Sequence, residues 1–290
     1  MAATPVHAKS GKASFDNVYD QADPRKYYTT LGQLDYQAPA HGARVFLRLI
    51  ERQGEQFARG QPVVLDLCCS YGIIAALMNH DIELDELYAR YGSAELAPLS
   101  SDELTRLDHL FYREHRRPSF TDVIGHDIAT NAVAYAQRVG LHRWGSSENL
   151  ETGDPSSALI QILAEVHLIT VTGGVGYISE RTFDRLLRYA SAGRGCWVAT
   201  FALRWVDYEP IANVLSRYGL KTERLAGRTF RQRRFADDAE CDYVLEELDK
   251  LGIDPSGKEG DGWYHSYLYL SRPADQAHPP LDELLSGCID

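Results

Sequence analysis

Five strand-length apolar runs, at 62–67, 122–127, 145–149, 168–172 and 196–201, are separated by segments of helical period, at 73–80, 129–139 and 181–190. A continuous apolar run has no wet face, so each such strand needs cover on both sides, and the alternation with helices supplies it. The pattern predicts an α/β chain built on a mostly parallel sheet with helices on both faces.

Around this centre, residues 1–60 form a Ser/Lys/Gly-containing tail, a tyrosine-rich segment (15–37) and an amphipathic helix (40–56) carrying Val45, Phe46, Leu49 and Ile50. We expect these to be an N-terminal tail and helical lid. The catalytic domain is expected at 61–273 and a mobile C-terminal tail at 274–290. The charged stretch 81–119 is too long for the turn of a βαβ unit, which predicts an insertion of two short helices. After 205 come a helix (208–218), an extended segment (222–228), a polar helix (237–251), a turn (255–262) and an alternating strand (263–270). On that strand Tyr264, Ser266, Leu268 and Leu270 share one side, and Trp263, His265, Tyr267 and Tyr269 the other.

Composition narrows the function. With 41 Asp+Glu against 30 Lys+Arg the chain carries a formal charge of −11, which argues against a nucleic-acid partner. No apolar stretch reaches the roughly 20 residues of a membrane span, and the N-terminus lacks the apolar core of a secretory signal, so a cytoplasmic address is expected. The 5 Cys are scattered and only Cys68 and Cys69 are close, a set suited to free thiols rather than to a disulfide framework or a metal site. The one basic run, RTFRQRR (228–234), reads as a solvated strand edge or a local anion site.

The chemistry begins at VVLDLCCSYG (63–72), an apolar strand entering a loop of small residues and then a helix, so that backbone N–H groups face a ligand. In VIGHD (123–127) an acidic residue closes the next strand, where it can accept hydrogen bonds from both hydroxyls of a ribose. Asp66 and Asp127 can equally cap the helices that follow, and Asn149 can close an Asx turn. Gly173, Gly174 and Gly176 follow a buried strand and mark either a tight turn or the close approach of a ligand.

These stretches resemble the class I S-adenosylmethionine-dependent methyltransferases. VVLDLCCSYG resembles that family's first motif, with Asp66 and Gly72 matching and Cys68 and Ser70 standing where glycines are usual. GHDIATNAVAYA (125–136) is similar to the second, which places Asp127 at the ribose and Ile128 beside the adenine. SENLE (147–151), with Asn149 and Leu150, resembles the adenine-edge segment. LITVTGGVGYI (168–178), with Thr172 and Gly173, resembles the segment beside the reacting sulfur. The resemblance spans 40–272 and implies a Rossmann-like seven-stranded sheet and S-adenosylmethionine as methyl donor or as the substrate itself; no metal is expected, because no His/Cys/carboxylate cluster has the spacing of a ligand set.

A sulfonium is a fixed cation that aromatic faces attract. Tyr177 and Tyr28 are therefore the candidate catalytic residues, with Tyr27 and Tyr36 completing a lid. His41, Asp35, Glu180 and His126 are acid–base groups available to an acceptor, none at a spacing that marks a dyad. Trp205, Tyr208 and the 228–235 segment lie where this family builds its acceptor pocket, with Arg204, Arg228 and Arg231 available for a carboxylate. Three activities fit: methyl transfer to a small molecule, as in natural-product biosynthesis; azetidine-2-carboxylate synthesis, a lyase-type cyclisation of S-adenosylmethionine without an external acceptor; or cofactor binding without turnover. The second rests on a whole-chain resemblance in the tyrosine-rich N-terminus, the CCSYG loop and the GGVGYI turn. The sequence leaves monomer and homodimer open.

Overall fold

The apolar runs become the strands of one mixed sheet. The computed structural model describes residues 16–55, 62–190 and 195–289. The tail at 1–13, Phe15 and Gln56, about which the sequence raised expectations, lie outside the described residues.

In chain order the elements are α1 (Asp16–Tyr19), α2 (Arg25–Gly32), α3 (Ala38–Gly54), β1 (Val64–Leu67), α4 (Ile73–Asn79), α5 (Leu84–Tyr91), α6 (Ser101–Glu114), β2 (Val123–His126), α7 (Thr130–Arg138) and β3 (Trp144–Ser146). There follow α8 (Ser157–Leu163), β4 (Leu168–Thr172), α9 (Glu180–Leu187), β5 (Trp197–Leu203), α10 (Glu209–Arg217), β6 (Leu220–Arg224), β7 (Phe230–Arg234), α11 (Asp238–Lys250), β8 (Trp263–Pro273) and α12 (Leu281–Leu284). The sheet order is β3-β2-β1-β4-β5-β8-β6, with β7 also on β8. The first five strands pair in parallel, and β8 runs antiparallel to its neighbours.

Eight strands stand where seven were expected. The additional one is β7, from the basic run. β8 is 11 residues long, so its outer edge accommodates β7 beside Trp263–Ser266 and β6 beside Tyr269–Pro273. The run is not a solvated edge throughout, because Phe230, Gln232 and Arg233 are buried.

Two cores flank the sheet. On one side α3 lays Val45, Phe46, Leu49 and Ile50 against the strands, and burying each such side chain contributes about 1.5–3 kcal/mol. On the other, Leu159 and Leu163 of α8, Phe183 and Leu186 of α9, and Val214 and Leu215 of α10 pack together. Helix α8, capped by the Ser156 hydroxyl, is a short element that periodicity missed. The segment after Pro273, expected to be mobile, carries Leu281, Leu284 and Leu285 buried in the α3 core, and Arg48 bonds the Leu284 carbonyl. Leucines spaced three and four apart account for that docking.

The insertion is a helix pair, α5 and α6. Capping boxes start both, Glu83 with Glu86 and Ser100 with Glu103. At its base the Asn79 carboxamide bonds both the N–H and the C=O of Thr121.

The N-terminal segment is fastened at several points. Asp20 accepts from the Asn131 N–H, and the Gln21 N–H donates to the Tyr71 hydroxyl. Arg25 donates to the Leu96 and Leu99 carbonyls of the insertion, and the Gln37 N–H to the Gln232 carbonyl. Arg234 pairs with Asp35 at 2.6 Å, both half exposed.

Candidate active site

Strand β1 lies between β2 and β4, so the chain leaves it in both directions and the loops at the carboxyl ends of β1 and β4 part. In open α/β sheets such a switch point is where ligands bind.

The loop after β1 is wound tightly. Cys68 (φ 62°), Ser70 (φ 47°) and Gly72 (φ 80°) are all left-handed, the first two at a cost of about 1–2 kcal/mol each for a side-chain-bearing residue. The surroundings enforce the conformation: the N–H groups of Cys68 and Cys69 bond the His126 carbonyl, and that of Ser70 donates to Asp127 Oδ2 at 2.9 Å. Cys68 leans on the turn after β4, where a Cβ on Gly174 would sit 2.5 Å from its Sγ. Gly125 is required by the His142 ring, 2.2 Å from where its Cβ would be. Burial pushes both thiols up, which leaves them unreactive small residues.

Two carboxyls face the crevice. Asp127 accepts from Ser70 through one oxygen and from the Ala129 N–H through the other; burial holds it above the ordinary carboxylate range although both N–H groups pull it down. Next to it in sequence, Ile128 is 63% exposed, an apolar side chain presented to solvent. Asp66 is 1% exposed and accepts from the Thr170 hydroxyl at 3.2 Å, while its Oδ2 has no partner. Burial pushes this carboxyl up to about 8.

The third side is the turn after β4. Thr172 packs on α3 where Gly42 lacks a side chain, and its hydroxyl is buried without a partner. Gly173 (φ 87°) passes under β7, since a Cβ there would lie 2.6 Å from Gln232 Nε2 and 3.7 Å from the Tyr36 hydroxyl. Tyr177 is half buried on the same turn, its N–H bonded to the Gly174 carbonyl. Tyr19, Tyr36 and Tyr264 all stand within electrostatic reach of Tyr177, Tyr19 also of Asp127 and Tyr36 also of Asp66.

The fold thus gathers Asp66, Cys68, Ser70, Gly72, Asp127, Thr172, Gly173 and Tyr177. Other candidates are placed elsewhere. Tyr28 does not face Tyr177: it stacks on Tyr91 of α5 at 4.5 Å and 8°, because α2 turns that side to the insertion. Asn149 is exposed with its side-chain oxygen closing an Asx turn on the Glu151 N–H, and Leu150 is 2% exposed inside the core with Leu159 and Leu163. Arg204 is held by Glu259 and the Asp254 carbonyl, and Tyr208 stacks on Tyr269 in the core. His126 is buried, which pulls it down to about 4.

Sequence reasoning did not single out Tyr19, Gln232, Arg233 or Tyr264, although Gln232 and Arg233 lie in the 228–235 segment expected near an acceptor pocket. Tyr19 stands in the tyrosine-rich segment, and Gln232 and Arg233 were hidden in a run dominated by charge. Arg233 bonds both oxygens of Glu240 and lies 4.5 Å over the Tyr264 ring, so its charge is paired where it meets the crevice.

No protein-family model matches this sequence, and neither does any curated protein. Among solved structures the chain is similar to the magnesium protoporphyrin IX methyltransferase ChlM of Synechocystis with bound SAM, at TM-score 0.41 and 11% identity over 93% of this chain and 98% of that one. It is similar to the CurJ carbon methyltransferase, at TM-score 0.49 and 11% identity over 89% of this chain and 60% of that one. The cyclase SpnF gives TM-score 0.37 and 13% identity over 78% of this chain and 80% of that one.

Proposed function

We propose that the crevice binds S-adenosylmethionine and that the chain is an S-adenosylmethionine-dependent methyltransferase acting on a small molecule. One observation carries this reading. Asp66 Oδ2, Ser70 Oγ, Thr172 Oγ1 and Gln232 Oε1 are buried polar atoms without hydrogen-bond partners, on the elements that converge at the ends of β1 and β4. Buried polar groups are almost always bonded, so such a gathering fits a polar ligand.

The residues present suit that molecule. Asp127 would accept from two ribose hydroxyls, each of its oxygens keeping a lone pair beyond the N–H it already accepts from, and Ile128 would offer an apolar surface to the adenine. The unpartnered oxygen of Asp66 suits an ammonium group, whose charge would draw the carboxyl back to its ionised form. Gly173 and Gly174, lacking side chains, let Gln232 and Cys68 close against the turn beside the ligand. When bound, S-adenosylmethionine supplies an electrophilic methyl group with a neutral leaving group. Tyr19, Tyr36 and Tyr177 wall the chamber, attract a sulfonium by about 0.5–2 kcal/mol per ring face and exclude water. Orientation then supplies most of the rate, and no dedicated base is needed.

A second reading, intramolecular closure of S-adenosylmethionine to azetidine-2-carboxylate with release of methylthioadenosine, is favoured by the N-terminal segment. It brings tyrosines over the crevice and is bonded on both flanks, at Asn131 and at Gln232. Incubation of the pure protein with S-adenosylmethionine and mass analysis of the products separates the readings. Methyl transfer gives S-adenosylhomocysteine only with an acceptor, and ring closure gives methylthioadenosine without one. Binding without consumption marks a non-catalytic module, and absence of binding overturns all three.

A further inference from the structure

Two arginines of the basic run, unlike Arg233 and Arg234, make no ion pair among the described residues. Arg228 and Arg231 flank Phe230, whose ring packs against His41 of α3 at 5.5 Å, and Arg44 follows His41 by three residues, on the same helix face. No ion pair involves Arg44, Arg228 or Arg231 among the described residues, and all three are exposed. On β8, paired with Arg231, His265 is 6% exposed and bonds Thr229 through Nδ1. The Nε2 atoms of His41 and His265 are both buried without partners. In a chain of formal charge −11 this is a local excess of positive charge with unsatisfied ring nitrogens beside it.

We propose that His41, Arg44, Arg228 and Arg231 form a binding site for the anionic group, phosphate or carboxylate, of a small molecule, with His265 extending it. Guanidinium groups offer planar paired donors suited to either oxyanion, and a ring N–H adds a further one. The field is one-sided. His41 is pulled down to about 4 by burial and by Arg44, Arg228 and Arg231; His265 falls to about 4 by burial and by Arg204, Arg231, Lys258 and His41. Apart from His41, itself neutral near pH 7, the groups acting on the two rings are arginines and Lys258, of which Arg204 is neutralised by Glu259. The site adjoins the crevice through Gly42, next to His41 and packed on Thr172, and through Gln232, next to Arg231 and over Gly173. It stands whether or not that crevice takes S-adenosylmethionine.

Calorimetric titration of the full chain at low ionic strength with inorganic phosphate, and separately with citrate, tests it. Binding at one site is expected, weakened about tenfold or more in Arg228→Gln/Arg231→Gln and unchanged in Arg217→Gln, which lies on α10. The ring protons of His41 should shift on saturation in the wild type. The tighter of the two probes identifies the ligand's acid group. Absence of binding to both, or equal binding by the double variant and the wild type, overturns the site. Because both substituted arginines are exposed, a far-UV spectrum matching wild type is expected of the double variant, and Arg44→Gln gives an independent second measurement in which the same weakening is expected.

Discussion

The molecule buries tyrosines beside carboxyl groups in two places, and the two differ in how completely they are bonded. Between α2, α5, α6 and α7 the Tyr91 hydroxyl meets those of Tyr112 and Tyr135, Tyr135 donates to Asp108 at 2.6 Å, and Arg90 closes on Asp108 at 2.7 Å. Tyr28 stacks on this cluster from the N-terminal segment. Around Tyr19, Tyr36 and Tyr177, by contrast, Asp66, Ser70, Thr172 and Gln232 retain buried atoms with nothing to bond. A closed network needs no ligand and serves to hold the insertion to the body. An open one of similar composition is the place proposed above for a second molecule to complete the bonding.

Substitutions should separate the two clusters. The largest effect is expected from Asp108→Ala, which leaves Arg90 facing an emptied site: a loss of about 3–5 kcal/mol in urea unfolding, with ligand affinity per folded molecule unchanged. Next comes the pH dependence of Asp66. Its folded value of about 8 stands above its unfolded value of 3.8, so the folded chain holds a proton that the unfolded chain has lost, and stability falls as pH rises from about 4 to about 8. Asp66→Asn should flatten most of that fall in unfolding measured across the window, and should weaken S-adenosylmethionine binding. Asp127→Ala should weaken calorimetric binding of S-adenosylmethionine by about a hundredfold, roughly 2.7 kcal/mol. If its affinity equals that of wild type, the open cluster is not a nucleoside site. The smallest effect is at Ser70: Ser70→Gly relieves a left-handed side-chain-bearing residue, with a gain of about 1 kcal/mol at most in thermal unfolding.

The sequence made the closed architecture more legible than the open site. Strand-length runs with no polar face demanded a doubly covered parallel sheet, and a charged stretch too long for a turn demanded α5 and α6. What periodicity could not supply was direction. Tyr27, Tyr28 and Tyr36 look alike in sequence, yet Tyr28 turns to Tyr91 while Tyr36 turns to Gly173, a choice made by tertiary contacts. Asn149 and Leu150 share a motif, but one closes its own turn and the other fills the core. Short elements were the other loss: α8 and β7 are stabilised by what they pack against, and the α12 leucines dock only because α3 offers them a groove. That Cys68 and Ser70 stand where the resembled family has glycines was visible, whereas the left-handed backbone they adopt was not.

The N-terminal segment joins the two clusters, since Tyr28 belongs to one and Tyr19 and Tyr36 to the other. It is bonded to Asn131, to Tyr71 and to Gln232, with Arg25 holding its middle to the insertion. A molecule seated beneath it leaves only as fast as those bonds part together. On that reading its residence time follows the unfastening of a peptide strip, and loosening the insertion, far from any reacting atom, should quicken entry and release alike.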